Sequence, residues 1–141
     1  MPALDALIDF YETLSPESLP RFAEFYAEDA RFKDPFNEVQ GLPAIVGIFR
    51  HMYAQVDDPR FRVSASFAAA DQAMLLWEFS WQPRSLFGRG RRWSLQGSTH
   101  LRFVAGRVSE HRDYWDPGEE LLLKLPLLGW LWRAFRHLLA A

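Results

Sequence analysis

The sequence predicts an α+β domain in which three helices are followed by a run of antiparallel strands. Two patterns carry this prediction. Apolar residues recur at helical spacing through most of residues 4–56, and from residue 60 onward apolar and polar residues alternate with the period of a strand. A strongly curved sheet wrapped over the helices would enclose a conical cavity lined by inward-facing side chains.

Length and composition limit the classes of function. A chain of 141 residues, about half of them apolar, is long enough for one domain with a real core. The net charge of −2 argues against general affinity for nucleic acid. The absence of cysteine excludes disulfides and thiol catalysis and fits a reducing cytoplasm. The first five residues include no basic residue, so we expect no signal peptide and a cytoplasmic protein.

Three amphipathic helices are predicted before residue 57. Ser15, followed by Pro16, is a good N-cap for the second helix, which should end near residues 28–29. The third helix follows residues 41–43. The apolar faces of the three helices consist of Leu4, Leu7, Ile8, Tyr11 and Leu14, of Leu19, Phe22, Phe25 and Tyr26, and of Ile45, Val46, Phe49, Met52, Tyr53 and Val56.

Asp34 is a candidate catalytic base in the extended segment between the second and third helices. Because side chains alternate across a strand, Asp34 should share the buried face with Phe32 and Phe36. Pro35 also favours an extended backbone for the residue before it. A buried carboxylate would be a good proton acceptor near neutral pH. The alternative is that Asp34 caps a turn before Pro35 or pairs with a neighbouring basic residue.

Four strands are predicted after residue 59, with a long turn at residues 83–92 between the second and the third. The basic run at residues 89–92 is interpreted as a solvated loop, because no glycine-rich strand-to-helix motif surrounds it. One face of each of the first three strands is apolar, consisting of Phe61, Val63, Ala65 and Phe67, of Ala73, Leu75, Trp77, Phe79 and Trp81, and of Trp93, Leu95, Gly97, Thr99, Leu101 and Phe103.

The last strand, residues 107–116, contains the densest group of titratable side chains. His111 and Asp113 lie two residues apart, so both leave the same face, with Trp115 next on that face. Residues 110, 112 and 114 lie on the other face, and alternation alone does not decide which set is inside. An inward His–Asp pair could move a proton; otherwise the two residues form a polar pair that closes the sheet.

Other side chains could complete a pocket. Tyr11 and Tyr53 lie on apolar helix faces, where their hydroxyls could donate to a ligand oxygen, although ordinary core tyrosines fit the same pattern. Thr99 is a weaker candidate donor. No dense spacing of metal ligands is present, so we expect neither a metal nor a cofactor. The remaining wall is expected to consist of Phe32, Phe36, Phe49, Trp77, Phe79 and Trp115.

Residues 121–141 form a hydrophobic extension of the domain 1–120. Charged residues, proline and glycine interrupt it, so it is not predicted to span a membrane. We expect a helix that packs on the domain, with a dimer contact or a membrane surface as the alternatives. Its apolar stripe is Leu131, Trp132, Phe135, Leu138 and Leu139, and its basic side is Arg133, Arg136 and His137.

The order of predicted elements and two local motifs, residues 32–36 and residues 110–117, resemble the nuclear transport factor 2-like (NTF2-like) superfamily and its SnoaL-like branch of small bacterial proteins. The resemblance covers residues 4–120 and implies a cone-shaped fold that often forms homodimers through the outer face of the sheet. It places His111, Asp113 and Trp115 toward the cavity. Asp34 falls where the ketosteroid isomerases of the superfamily keep their general base, and Tyr11 where they keep the tyrosine that holds the oxyanion.

The match to those isomerases is incomplete. Thr99 stands at the position of their second acid, and Asp113 resembles the acid/base aspartate of the polyketide cyclases in the SnoaL group. The resemblance therefore implies a protein that binds a small apolar or aromatic molecule. If it is an enzyme, we expect a cofactor-independent isomerase, cyclase or hydratase with Asp34 or Asp113 as the proton-transfer residue. The alternative is a non-catalytic ligand-binding or dimerisation module.

Overall fold

A six-stranded curved sheet forms the centre of the computed structural model, which describes residues 2–84 and 90–141. The strands are β1 (Tyr26–Lys33), β2 (Glu38–Gln40), β3 (Asp57–Ala69), β4 (Gln72–Gln82), β5 (Trp93–Val104) and β6 (Arg107–Tyr114). Their order in the sheet is β2-β1-β6-β5-β4-β3. Strands β1 and β6 run parallel, and the other neighbouring pairs are antiparallel.

The helices flank the strands, which confirms the predicted α+β class. Before β3 lie α1 (Pro2–Glu12), a 3₁₀ helix (Pro16–Arg21), α2 (Phe22–Phe25) and α3 (Leu42–Gln55). After β6 come α4 (Pro117–Glu120), a short 3₁₀ helix (Leu122–Lys124) and α5 (Pro126–Leu139). Among the described residues, no helix has both the length and the apolar character that crossing a membrane requires.

The second predicted helix is shorter than expected. Ser15 caps it as predicted, because its side chain accepts a hydrogen bond from the backbone of Ser18. The helix nevertheless begins as a 3₁₀ segment containing Pro20, which lacks a backbone donor, and ends at Phe25. Tyr26, expected on the apolar face of that helix, instead opens β1 and pairs with Val108 of β6.

A β-bulge in β6 decides which of its side chains face inward. Arg102 of β5 pairs with Glu110, and the next residue, Phe103, pairs with Val108, so Ser109 is an extra residue in the ladder. The extra residue changes the alternation, and Val108 and His111 are both buried although they lie three positions apart. The bulge thereby places the side chain of His111 on the same inward face as that of Val108.

A second bulge changes the face of β3. Val63 pairs with Trp77 and Ala65 pairs with Leu76, which leaves Ser64 extra. The prediction that Phe67 shares a face with Phe61 and Val63 is therefore wrong, and Phe67 is exposed on the outer side of the sheet. The predicted faces of β4 and β5 have no such interruption in their mutual pairing, and Leu75, Trp77, Leu95 and Leu101 are buried as expected.

The hydrophobic core lies between the N-terminal helices and the inner face of the sheet. Helix α1 contacts β3, and α3 contacts β1 and β3. The side chains that are almost completely buried come from both layers and include Leu7, Phe10, Phe22, Tyr26, Ile45, Leu75, Leu101 and Val108.

The C-terminal extension is helical as expected, but it contacts the domain only in part. Trp132 packs against Gly118, whereas Leu131, Phe135, Leu138 and Leu139 of the expected stripe are exposed.

The predicted turn at residues 83–92 is described in part, because residues 85–89, including Arg89 of the basic run, lie outside the described residues. Arg92 donates to the carboxylate of Asp58 over 3.0 Å.

Replacing Gly97 by alanine should destabilise the protein by about 1–3 kcal/mol, because the added methyl would overpack the core. A Cβ atom at this position in β5 would lie 2.6 Å from Cη2 of Trp77. Urea unfolding measures the effect.

Gly47→Ala is the matched control, since a Cβ there in α3 meets no heavy atom within 4 Å. Alanine in a helix should raise the free energy of unfolding by about 0.5–1 kcal/mol. Shifts of both variants in the same direction would contradict the packing described for Gly97.

Candidate active site

A cavity of about 630 Å³ lies between α3 and the inner face of the sheet. Its wall is mostly apolar and aromatic. Eleven of the twelve side chains that the sequence predicted for the site line it: Tyr11, Phe32, Asp34, Phe36, Phe49, Trp77, Phe79, Thr99, His111, Asp113 and Trp115. The remaining wall includes residues that were not expected, among them Ile48, Met52, Phe61, Val63, Trp81, Leu95 and Leu121.

Asp113 is the centre of a series of hydrogen bonds that we call the buried network. Its Oδ1 atom lies 2.5 Å from Thr99 Oγ1 and 2.7 Å from Nε2 of His111. Thr99 in turn accepts a hydrogen bond from Nε1 of Trp77 over 2.7 Å. Two residues on β6 and one each on β4 and β5 are thus joined inside the cavity wall.

The network continues from His111 to the N-terminal helix. Nδ1 of His111 lies 2.6 Å from the hydroxyl of Tyr26, which is hydrogen-bonded to the hydroxyl of Tyr11. The aromatic rings of Tyr26 and Phe32 pack against the imidazole, with centroids 6.0 and 4.6 Å away. The network therefore links α1, β1, β4, β5 and β6 through side chains.

The position of one hydrogen in the network follows from chemistry. An indole nitrogen only donates, so Thr99 must accept from Trp77 and use its own hydrogen toward Asp113. Thr99 therefore has no hydrogen left for a ligand, and the expectation that it is a donor in the cavity is wrong. Its role in this geometry is to hold Oδ1 of Asp113 in place.

The hydrogens between His111 and Tyr11 can point in two directions. When Nδ1 of His111 is an acceptor, Tyr26 donates to it and Tyr11 donates to Tyr26. When Nδ1 carries a proton, it donates to Tyr26, Tyr26 donates to Tyr11, and the hydroxyl of Tyr11 is free to donate into the cavity. The protonation of His111 thus decides whether Tyr11 offers a ligand a hydrogen.

The second carboxylate oxygen of Asp113 is available to a ligand. Within residues 2–84 and 90–141, Oδ2 makes no hydrogen bond, and it is not among the buried polar atoms that lack a partner. The side chain is 18% exposed, compared with 5% for His111. Asp113 lines the cavity and therefore has one oxygen bound to the protein and one accessible oxygen.

Burial keeps both tyrosines of the network neutral. Removal from water raises the pKa of Tyr11 and of Tyr26 well above the usual value and is the largest cause for both. The hydrogen bond from Tyr26 opposes the rise for Tyr11, whereas Tyr11 adds to the rise for Tyr26. The negative charge of Asp113 raises both pKa values further.

Asp34 lines the cavity, but the prediction that it lies on a buried strand face is wrong. Strand β1 ends at Lys33, and Asp34 is half-buried in the loop that follows. Its Oδ1 atom accepts hydrogen bonds from the backbone of Phe36 (2.8 Å) and of Asn37 (2.6 Å), which is the capping alternative. Phe36 is 67% exposed, because the turn ends the alternation on which its burial was predicted.

Tyr53 does not line the cavity. The cavity side of α3 carries Ile48, Met52 and Val56, and Tyr53 lies on the neighbouring stripe toward the 3₁₀ helix that contains Glu17. Partial burial, and then the Glu17 carboxylate, raise the pKa of Tyr53 to about 12.

Tyr26 is the residue of the network that the sequence did not identify as functional. Helical spacing predicts Tyr26 in the second helix, which the structure ends one residue earlier. The signal in the sequence is the even-numbered spacing of Tyr26, Ala30 and Phe32, which share one face of an extended segment, and the structure buries all three. Within the part of the chain that the structure describes, no three His, Asp or Glu side chains approach closely enough to hold a metal ion.

Comparison with protein families finds one model, described as SnoaL-like domain, that matches residues 7–111. A comparison with curated proteins finds no match. Solved structures match over most of the chain at low identity. A hypothetical protein with a ketosteroid isomerase-like fold from Catenulispora acidiphila, in complex with trimethylamine, has a TM-score of 0.72 at 16% identity, covering 88% of this chain and 93% of its own.

Two further structures extend this result. An NTF2-like protein of unknown function from Burkholderia pseudomallei has a TM-score of 0.74 at 18% identity, with 89% and 99% of the two chains covered. An LEH-like epoxide hydrolase from M. tuberculosis has a TM-score of 0.68 at 14% identity, covering 94% of this chain and 89% of its own. At these identities the likeness establishes the fold alone.

Tyr11→Phe should make the protein less sensitive to alkali. In the unfolded chain a tyrosine ionises near pH 10, whereas the folded protein keeps Tyr11 neutral, so the free energy of unfolding falls as the pH rises above that value. Each such tyrosine contributes a fall of about 1.4 kcal/mol per pH unit. Urea unfolding between pH 7 and 11 should give parallel profiles for the two proteins below pH 9 and a shallower decline for the variant above pH 10. Parallel decline above pH 10 would contradict the burial of this hydroxyl.

Proposed function

Because this chain belongs to the SnoaL-like domain family and has the NTF2-like fold, we propose that it binds a small apolar organic molecule and moves a proton on it, with Asp113 as the general base. The observation that carries the proposal is that Asp113 lines an aromatic cavity and has one accessible oxygen, Oδ2. Oδ1 of the same carboxylate is held by Thr99 and His111. A base fixed by one oxygen and open at the other is positioned for proton transfer.

The cavity favours a flat, mostly apolar ligand. Its volume of about 630 Å³ is in the range of small-molecule sites, and the rings of Phe61, Trp77 and Phe79 form one side of it. A relative with this fold was crystallised with trimethylamine, which supports binding of a small molecule. We therefore expect a ligand with a single polar group and an apolar body that fills the remainder of the cavity.

The proposed step is removal of a proton from a carbon next to a carbonyl group. Oδ2 of Asp113 takes the proton, the electron pair of the C–H bond forms a carbon–carbon double bond, and the π pair of the carbonyl group moves onto its oxygen to give an enolate. The proton then returns from Asp113 to another carbon of the same molecule or to its oxygen. Isomerisation and ring closure both begin with this step, and it requires no cofactor.

Tyr11 is the proposed donor to the enolate oxygen. It can donate only when Nδ1 of His111 carries a proton, so the active form pairs an imidazolium with the Asp113 carboxylate. In this form Nε2 of His111 donates to Oδ1, and Oδ2 remains free to act as the base. Tyr26 is a positioning residue, because it transmits the hydrogen-bond direction from His111 to Tyr11 without reaching the ligand.

Ligand binding without turnover is the second candidate function. The observation that favours it is that Oδ1 of Asp113 already accepts two hydrogen bonds, which is how a purely structural carboxylate is held. In that case the cavity would sequester the molecule and Oδ2 would only orient it. The two candidates differ in whether a proton is exchanged.

The outer face of the sheet is the proposed homodimer surface. It exposes Phe67, Leu76 and Tyr114, on the opposite side from the cavity. Leu76→Glu should convert a dimer to a monomer in sedimentation analysis. A native chain that is already monomeric at micromolar concentration would contradict this arrangement.

Asp113→Asn should abolish the proposed proton transfer. Exchange of the carbon-bound protons of cyclic aryl ketones such as α-tetralone for deuterium, followed by proton NMR in heavy water, reports the step without knowledge of the natural substrate. We expect the exchange rate to fall by about 100-fold or more, since a general base contributes that much.

Asp34→Asn is the matched control, because its carboxylate is held in a loop turn at the same cavity. It should exchange ketone protons at the native rate. If Asp34→Asn loses exchange and Asp113→Asn retains it, the assignment of the base is wrong. If the native protein binds these ketones but exchanges none of their protons, the binding function replaces the catalytic one.

Tyr11→Phe and Tyr26→Phe should have different effects on the exchange rate. Loss of Tyr11 removes the oxyanion donor and should slow exchange by about 100-fold. Loss of Tyr26 leaves Tyr11 able to donate but separates it from His111, so we expect a smaller loss and a flatter dependence of rate on pH. Identical rates and pH profiles for the two variants would contradict the roles assigned to them.

A further inference from the structure

We propose that helix α5 binds flat on the surface of a membrane that contains anionic phospholipid. The contacts of α5 are concentrated on the 3₁₀ helix just before it. Most of the large apolar side chains of α5 face solvent, and its charged residues are all basic. The inference concerns this surface alone and does not depend on the chemistry of the cavity.

The orientation of α5 is fixed by two contacts at its inner side. The ring of Trp132 lies over Gly118, where an added Cβ would come within 2.3 Å of it. Gly129 packs against the backbone carbonyl groups of Leu122 and Leu123, where a Cβ would come within 3.2 Å or less. The two glycines let the helix approach closely with one side, and the opposite side is turned outward.

The outward side is a continuous apolar surface. Positions three and four residues apart share one face of a helix, which places Leu131 between Leu128 and Phe135 on that face. Leu131 is 47% exposed and Phe135 is 53% exposed. Besides Trp130, the large exposed apolar side chains of the helix are Leu127, Leu128, Leu131, Phe135, Leu138 and Leu139.

The charge of the segment indicates what covers this face. Residues 121–141 contain one lysine and two arginines and no acidic residue, so the net charge of −2 divides into +3 for this segment and −5 for residues 1–120. Arg133, Arg136 and His137 lie on the side of the helix away from the apolar face. Arg133 also donates a hydrogen bond to the backbone carbonyl of Leu123 over 3.4 Å. A helix with an apolar face and a basic opposite side is typical of helices that lie in the interface of an anionic membrane.

Length and aromatic residues support the same occupant. Fourteen residues of helix extend about 21 Å, too short to cross a bilayer but sufficient to lie in its interface. Trp130 is exposed beside the apolar face, and tryptophan is enriched at the interface between acyl chains and headgroups. A second copy of the helix would instead bring a like-charged segment against this one.

Vesicle flotation with the full-length chain tests the proposal. We expect it to float with vesicles of equal parts phosphatidylcholine and phosphatidylglycerol and to stay in the soluble fraction with phosphatidylcholine alone. Leu131→Glu combined with Phe135→Glu should abolish flotation. Arg133→Gln combined with Arg136→Gln should weaken binding by roughly fivefold for each arginine.

Val104→Glu is the control, since Val104 is an exposed apolar residue at the end of β5. It should float as the native chain does, and circular dichroism should show the native helix content in every variant. Recovery of the native chain in the soluble fraction with anionic vesicles would overturn the proposal. A native dimer that the Leu131→Glu, Phe135→Glu variant dissociates would assign this face to a second copy instead.

Discussion

The structure depends on a requirement that applies to every polar group buried in an apolar core. Tyr11, Tyr26 and His111 are almost completely buried among aromatic rings, and an unpaired polar group in such a place costs about 1–3 kcal/mol. Each of the three satisfies the next, and Asp113 completes the series with Oδ1. Because these residues come from α1, β1 and β6, the hydrogen bonds also fix where the first helix sits on the sheet. The accessible oxygen of Asp113 is therefore held in place by the core.

Regular patterns made much of this fold predictable. Helical spacing in α1 and α3 and strict alternation in β4 and β5 report burial directly, so the α+β class and eleven of the residues that line the cavity followed from the sequence. The bulge at Ser109 could not be predicted, because an extra residue in a ladder depends on the neighbouring strand. That bulge determines that His111 and Asp113 face inward. Alternation along the sequence therefore could not decide which face of the strand lies inside.

Tyr26 and Asp34 show the same limit in opposite ways. Tyr26 has the spacing of a helix residue, but pairing with β6 draws it into a strand, where it becomes the link between Tyr11 and His111. Asp34 has the spacing of a strand residue, but local hydrogen bonds to the backbone of Asn37 hold it in a turn. Tertiary pairing prevailed over local preference in the first case, and local turn chemistry prevailed in the second.

The state of the His111 ring tests the central claim most directly. The claim is that one continuous network runs from Tyr11 to Asp113 inside the core. Nitrogen-15 NMR of the histidine side chains should show a proton on Nε2 of His111 that is protected from exchange with water, and Asp113→Asn should change its resonance. A His111 ring whose Nε2 carries no proton, or whose proton exchanges as fast as that of an exposed histidine, would contradict the account.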